Sequence, residues 1–387
     1  MNILSAIAPK LRLAFVIGLL CVAGVTCRGL LEDDSSPTNT PEANLPSGEL
    51  AFVYRRCDYD NAAVLRLTLP DREITPILSD QHDNRQLAWS PDGRMIGVLS
   101  YATPGRDLRV IDAETQEVRL ELPGSFLQFA WSADGSSIFV LDEEGWRGEL
   151  YRYDLVSQES EYITDGVSSF SVSPNGQWLG LSKRDPTYFG HFTFQVFDLN
   201  DSRLLTTTYQ NNFEDVGHVG GLSVWSPIAN EVAVIGLSAT QESDVVIYTV
   251  HKDHLQIKAT AVARETYQRD YGEDLISVGF YSMTWSPDGR KLLLIRSETD
   301  ARTGGEVLLF DLNLSDYQRL PFRKDTTGLV WTMDRWLVYV TGSDRETGSS
   351  SCAGRLRGEI WLADMETLET QVLVTDTLFI ERPAWRP

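Results

Sequence analysis

Seven times along this chain a short phrase returns: one or two apolar residues, usually a tryptophan, then a tight turn. It reads Leu87-Ala88-Trp89-Ser90-Pro91-Asp92-Gly93, then Phe129-Ala130-Trp131-Ser132-Ala133-Asp134-Gly135. Phe170-Ser171-Val172-Ser173-Pro174-Asn175-Gly176 and Ser223-Val224-Trp225-Ser226-Pro227 follow. Then come Met283-Thr284-Trp285-Ser286-Pro287-Asp288-Gly289, Leu329-Val330-Trp331-Thr332-Met333-Asp334 and Pro383-Ala384-Trp385-Arg386-Pro387. With Val172 standing in once for the tryptophan, the copies lie 42, 41, 53, 60, 46 and 54 residues apart. Self-similarity at such a period marks a repeat architecture, in which neighbouring units bury each other's apolar faces.

Each turn is followed by a β-rich run, a loop, a second run, a short turn and a third run. The second unit shows this as Arg94–Ser100, Leu108–Asp112 and Val118–Leu122, after the strand that ends at Trp89. The third has Ile138–Leu141, Glu149–Leu155 and Glu159–Ile163; the sixth has Lys291–Arg296, Glu306–Leu312 and Tyr317–Leu320. Four short antiparallel strands per unit, here called A to D, predict an all-β fold, a β-propeller. With 16 Pro and 29 Gly the chain suits a turn-rich β protein. In the turn, Pro presets φ, Asp accepts local backbone N–H groups and Gly takes a left-handed conformation. The tryptophan that ends strand A is expected to pack between neighbouring sheets.

The two ends complete one another. Residues 50–56, 63–68 and 73–78 read as strands B, C and D with no strand A before them. Phe379–Trp385 reads as a strand A with nothing after it. Joined, they predict seven four-stranded antiparallel blades, closed by pairing the C-terminal strand with the first blade. Closure also removes open sheet edges. The same layout puts Cys57 in the B–C loop of the first blade and Cys352 in that of the seventh, so a disulfide is expected across the closure. Chain-entropy models bound its stabilisation at roughly 5 kcal/mol.

The phrase resembles the repeat of the TolB-type (WD40-like) propellers, also found in prolyl oligopeptidase-like peptidases. Trp89-Ser90-Pro91-Asp92-Gly93 and Trp285-Ser286-Pro287-Asp288-Gly289 match it in full, and Trp131, Val172, Trp225 and Trp331 carry altered copies. The resemblance covers residues 49–387 and implies the fold. It leaves the activity open, because TolB places an α/β domain before six blades and the peptidases add a hydrolase domain.

The N-terminal segment reads as an export signal. Lys10 and Arg12 precede Leu13–Cys27, fifteen residues without a charge. A bilayer span needs about 17–25, so the run suits a signal peptide over residues 1–27. Residues 28–48, rich in Asp, Glu, Ser, Thr, Pro and Asn, read as a disordered tether. Signal, cysteine and tether resemble a lipoprotein start with Cys27 lipidated, although Gly24-Val25-Thr26 departs from the usual residues before that cysteine. Lipidation, plain secretion and an uncleaved anchor all stay open. The expected location is therefore the cell envelope, periplasmic or extracellular, or the medium. A net charge of −21 repels phosphate backbones and argues against nucleic acid.

Connections are minimal on the face carrying the A–B and C–D turns, and long on the face carrying the B–C loops and D–A crossovers. Long loops in a compact fold are usually functional. Lys183–Phe192 brings Tyr188 and His191; Tyr209–Gly221 brings Tyr209, Phe213, Glu214, Asp215 and His218; Arg264–Gly279 brings Tyr267 and Tyr271. Aromatics beside carboxylates suit a glycan, or a peptide of basic character. His82, His191 and His218 share this face and raise a metal-site alternative, but no pair has ligand spacing. No metal or cofactor is assigned. The sequence has no Gly-x-Ser-x-Gly elbow and no Gly-Lys-Ser/Thr phosphate loop. The expectation is an exported, monomeric, non-catalytic binding propeller for an envelope or extracellular protein, peptide or glycan. The alternative is a propeller enzyme, lyase-like or peptide-processing.

Overall fold

A computed structural model describes residues 45–55, 62–79, 82–102, 105–143, 148–184, 192–206, 222–237, 243–262, 279–297, 305–313, 316–323, 325–332, 335–342, 358–375 and 379–387. Pro46–Pro387 forms one compact unit. Its described residues are strands and turns, and no helix among them is long and apolar enough to cross a membrane.

The strands fall into four-strand groups. Group one begins with β1 (Gly48–Arg55), β2 (Ala62–Leu69) and β3 (Glu73–Leu78). Group two is β4 (Asp83–Trp89), β5 (Met95–Ala102), β6 (Gly105–Asp112) and β7 (Val118–Leu122). Group three is β8 (Phe126–Trp131), β9 (Ser137–Asp142), β10 (Glu149–Asp154) and β11 (Ser160–Thr164). Group four is β12 (Val167–Val172), β13 (Trp178–Arg184), β14 (Phe192–Asp198) and β15 (Arg203–Thr206). Group five is β16 (Ser223–Trp225), β17 (Glu231–Leu237), β18 (Ser243–Val250) and β19 (Leu255–Val262). Group six is β20 (Gly279–Trp285), β21 (Lys291–Ser297), β22 (Glu306–Asp311) and β23 (Asp316–Arg319). Group seven is β24 (Thr326–Trp331), β25 (Trp336–Thr341), β26 (Glu359–Asp364) and β27 (Thr370–Thr375). The last strand, β28 (Phe379–Trp385), pairs antiparallel with β1, from Leu50 opposite Trp385 to Arg55 opposite Phe379.

Groups three to seven are separate four-stranded antiparallel sheets. Groups one and two differ from the expected one sheet per repeat, because they merge into a single eight-stranded sheet. The junction is one parallel residue pair, Ala62 with Asp83. Its cause is local: Ala62 N–H donates to His82 O, so the crossover into β4 runs against the start of β2.

Consecutive groups pack face to face. In group five, Val232, Val234, Val246 and Tyr248 pack on group four, while Ala233, Ile235, Val245 and Ile247 pack on group six. A sheet buried on both faces explains why its strands read as continuous apolar runs instead of alternating. Similar cores join groups one and two, two and three, three and four, and six and seven.

Every part of the repeated phrase has a local job. Ser90 Oγ donates to Asp92 Oδ1 at 2.6 Å and accepts from Met95 N–H at 2.9 Å. Asp92 also accepts from Arg94 N–H at 3.1 Å. The same contacts recur at Ser132–Asp134, Ser173–Asn175 and Ser286–Asp288. Gly135 has φ of 70°, and Pro91 of the preceding turn lies 3.4 Å from where its Cβ would stand. The turns therefore touch one another along this face. A second turn repeats at the end of strand C. Asp112, Asp154, Asp198 and Asp364 each accept two backbone N–H groups from the following turn, and each turn contains a residue of positive φ: Gln116, Gln158, Ser202 and Leu368.

The turn carboxylates make the fold acid-sensitive in a defined direction. Ser132 O–H first, then Ser136 N–H, hold the Asp134 carboxyl down at about 2. A depressed carboxylate supports the fold above its unfolded pKa, roughly 3.9, and the support is lost as pH falls toward the folded value. Asp134→Asn should keep the turn, as Asn175 already does in the same position, and should flatten the loss of stability between about pH 4 and 2. Asp134→Ala should lose about 1 kcal/mol at neutral pH. Urea midpoints across pH measure both, and equal losses for Asn and Ala would contradict this role.

Candidate functional site

The turn face is occupied by its own hydrogen bonds, which directs attention to the opposite face, where the B–C loops and D–A crossovers lie. The loop residues expected there, Tyr188, His191, Tyr209, Phe213, Glu214, Asp215, His218, Tyr267 and Tyr271, lie outside the described residues. So do Cys57, Cys352 and Cys27. The described strands give the anchor points of those loops. β13 ends and β14 begins at the pair Arg184–Phe192. The other two loops connect β15 to β16 and β19 to β20.

On groups two to four the described part of this face presents tyrosines among charges. Tyr101, at the loop end of β5, is 46% exposed. The Arg85 and Arg106 guanidinium groups lie 5.1 and 4.9 Å from its ring centroid. Asp83 holds Arg85 at 2.8 Å, and Glu143 holds Arg106 at 3.2 Å. Cation–π contact on a ring fixed in this way makes Tyr101 a pre-organised aromatic post. Cross-strand register assembles it: Tyr101 pairs with Arg106, and Asp83 pairs with Tyr101 from the other side.

A second tyrosine pair stands on group three. Tyr151 and Tyr162 are paired across β10 and β11 and meet edge to face at 5.7 Å. Tyr151 O–H donates to Glu149, and Tyr162 is 53% exposed. Burial raises the Tyr162 hydroxyl pKa, with Asp165 and Glu149 adding to it. Across the crossover into group four, Lys183 Nζ donates to Thr164 Oγ1 at 2.9 Å. Burial lowers the Lys183 pKa while Asp165 opposes the shift. Asp142 sits opposite Glu149 in the β9–β10 ladder. Burial, then Glu149 and Glu143, raise its carboxyl pKa.

Other charged groups on this face serve the frame. Glu359 accepts from Arg323 Nη1 at 3.1 Å, Trp361 Nε1 at 3.0 Å and Thr341 Oγ1 at 3.4 Å. Asn84, Ser100 and Arg109 form a buried network across β4, β5 and β6 of group two, with Arg109 Nη2 donating to Asn84 Oδ1 and Ser100 Oγ at 2.8 Å each. Among the described residues, no three His, Cys, Asp or Glu side chains gather closely enough to hold a metal ion. Of the histidines expected on this face, only His82 is described; its carbonyl binds Ala62 N–H.

No protein-family model matches the sequence, and no curated protein matches it. Solved structures do. A prolyl endopeptidase superposes with a TM-score of 0.58 at 12% identity, over 90% of this chain and 50% of its own. An oligogalacturonate lyase from Vibrio parahaemolyticus gives 0.55 at 13% identity, over 85% and 87%. TolB from Acinetobacter baumannii gives 0.51 at 15% identity, over 88% of this chain and 67% of TolB. The fold is that of a TolB-like propeller. It is not TolB itself, and the chain spans half the length of the prolyl endopeptidase.

On this TolB-like propeller the exposed tyrosines were missed because the sequence reading sought long loops, while Tyr101 and Tyr162 sit on strands. An aromatic one residue from the loop end of strand B is the signal that points to Tyr101. The electrostatics give a check. Asp142 has a raised pKa, so its ionisation weighs against the folded state once pH rises past the ordinary carboxylate range. Relieving its charge opposite Glu149 by Asp142→Asn should raise the melting temperature by about 1–2 °C at pH 7. No gain should remain near pH 3, where the carboxyl is already protonated. A gain of equal size at both pH values would assign the effect to packing instead.

Proposed function

We propose that this chain is a seven-bladed propeller whose loop face holds a ligand without transforming it. The seven groups are its blades, and β28 on β1 completes the first of them. This reading is supported by the antiparallel β28–β1 pairing and by the apolar cores that join consecutive groups. The observation that carries the binding role is the contrast between the faces. The turn face bonds to itself through the repeated Ser–Asp contacts, while the loop face exposes Tyr101 and Tyr162 among carboxylates and arginines.

Tyrosine beside carboxylate suits an envelope or extracellular peptide, protein or glycan, with positive charge favoured by the chain's net −21. The mouth on this reading extends from Tyr101 and Tyr162 to Tyr188, His191, Tyr209, Phe213, Glu214, Asp215, His218, Tyr267 and Tyr271. We further propose that residues 1–27 direct export, that residues 28–48 tether the propeller, with Cys27 the lipidated residue, and that Cys57 and Cys352 form a disulfide across the closure. The propeller acts as a monomer without nucleic acid or cofactor.

A second reading is an enzyme. Its support is that oligogalacturonate lyases, one solved in complex with manganese at a TM-score of 0.52, share the fold, and that the order of repeats in the sequence assigns His191 and His218 to connections of the loop face. One experiment separates the two. The purified protein is screened against cationic peptides and glycans, with metal content measured on the same sample. Binding lowered at least about ten-fold by Tyr101→Ala or Tyr162→Ala, with no bound metal and intact ligand recovered, supports the binding module. Stoichiometric manganese lost with His191→Ala and His218→Ala, or cleaved ligand, overturns it. Thiol titration of denatured, unreduced protein tests the disulfide: reactive thiols from both Cys57 and Cys352 would remove it from the account.

A further inference from the structure

Neighbouring inner strands are joined by side-chain hydrogen bonds at five places in turn. Trp89 Nε1–H donates to Ala384 O at 3.1 Å between groups one and two. Trp131 Nε1–H donates to Ala88 O at 3.0 Å between two and three, with Gln86 Nε2 adding a bond to Phe129 O at 3.2 Å. Between three and four, where Val172 replaces the tryptophan, the Gln128 amide takes over. Its Nε2 donates to Phe170 O at 2.7 Å, and its Oε1 accepts from Phe170 N–H at 3.1 Å. Trp225 Nε1–H reaches Ser171 O at 3.4 Å between four and five, beside a 2.6 Å Ser171–Ser223 hydroxyl contact. Trp285 Nε1–H donates to Val224 O at 3.0 Å between five and six.

The series stops at group seven. Trp331 Nε1–H is buried and has no hydrogen-bond partner. The carbonyl at the equivalent position in group six is Thr284 O, one residue before Trp285, and Trp331 does not bond to it. On the other side, among the described residues, no bond joins the Trp385 indole to group seven; its ring lies against Gly48. Group seven keeps an apolar core with group six through Leu309, Phe322, Leu337 and Tyr339. It also keeps the Gly305 N–H bond to Thr326 O at 2.9 Å and an exposed Arg72–Gln371 contact at 3.2 Å. Backbone links like the Gly305–Thr326 bond recur at Ala62–His82, Arg106–Gly124 and Gly148–Val167, so they do not compensate group seven in particular.

We propose that β24–β27 form the movable blade of the ring. It swings outward as a unit at the two seams that lack the indole-to-carbonyl bond and opens a lateral path to the centre, while the other blades stay joined. This rests on the ring order proposed above. The missing device can be supplied. Gln86 and Gln128 lie three residues before their motif tryptophans, just after a bulge that aims them at the next group. Ser282 lies three residues before Trp285, just after the same bulge in β20. Leu329 lies two residues before Trp331, as Phe129 and Phe170 lie two before Trp131 and Val172.

Native-state hydrogen exchange of the full chain tests the proposal. Amides of β24–β27 should exchange together, at least about ten-fold faster than those of β8–β11. Ser282→Gln should slow them by about five- to ten-fold, the effect of one recovered hydrogen bond. Gln128→Ala should open a second fast seam between groups three and four. The proposal is overturned if β24–β27 are as protected as β8–β11, or if Ser282→Gln folds and leaves their exchange unchanged. It is equally overturned if Gln128→Ala leaves groups three and four as protected as before. Amides at the β28–β1 pairing report the ring separately. If these exchange at once while β24–β27 stay protected, the closed-ring reading fails together with the movable blade. If both are protected, only the movable blade fails.

Discussion

An indole N–H reaching one carbonyl of the sheet before it is the contact on which the arrangement turns. The tryptophan closes strand A, its ring fills the space between two sheets, and its single donor finds the backbone carbonyl just before the preceding motif tryptophan. Burying a large aromatic supplies the attraction, and the hydrogen bond supplies the register. Without the bond, a flat apolar interface between two sheets could slide. With it, each sheet is indexed to its neighbour by one residue. Where Val172 lacks the donor, Gln128 supplies the same indexing from the adjacent strand bulge.

The same phrase ties up one face of the sheets in its own hydrogen bonds. Ser, Pro, Asp and Gly after the tryptophan satisfy one another and touch the next turn, so the polar groups of that rim are engaged internally. The opposite rim carries the variable chain. There the frame is held by Glu359 with Arg323 on group seven and by Asn84 with Arg109 on group two. Tyr101 stands between Arg85 and Arg106, and Tyr151 and Tyr162 lie beside Glu149.

Much of the fold was legible from pattern. The strands Val118–Leu122 and Phe379–Trp385 appear with the bounds the residue pattern implies, because sharp turn residues flank them. The Asp that ends strand C at Asp112, Asp154, Asp198 and Asp364 was a second repeat in plain view, and its short turns follow from local carboxylate capping. The merging of groups one and two was not legible, since it depends on one backbone contact of a crossover. Nor was the Tyr101 post. Its arginines are 16 residues before it and 5 after it in sequence, and only cross-strand register brings them to the same ring. The long loops were found by length, a signal that carries no geometry.

If indole-to-carbonyl bonds index the sheets, tryptophans with and without an acceptor must respond differently to loss of the N–H. Replacing Trp285 by Phe and, separately, Trp331 by Phe removes similar ring area from both, and unfolding free energies then read the bond alone. Trp285→Phe should be the more destabilising by about 1 kcal/mol, because it also leaves Val224 O without its partner. Equal losses at the two positions, or a larger loss at Trp331, would contradict the account.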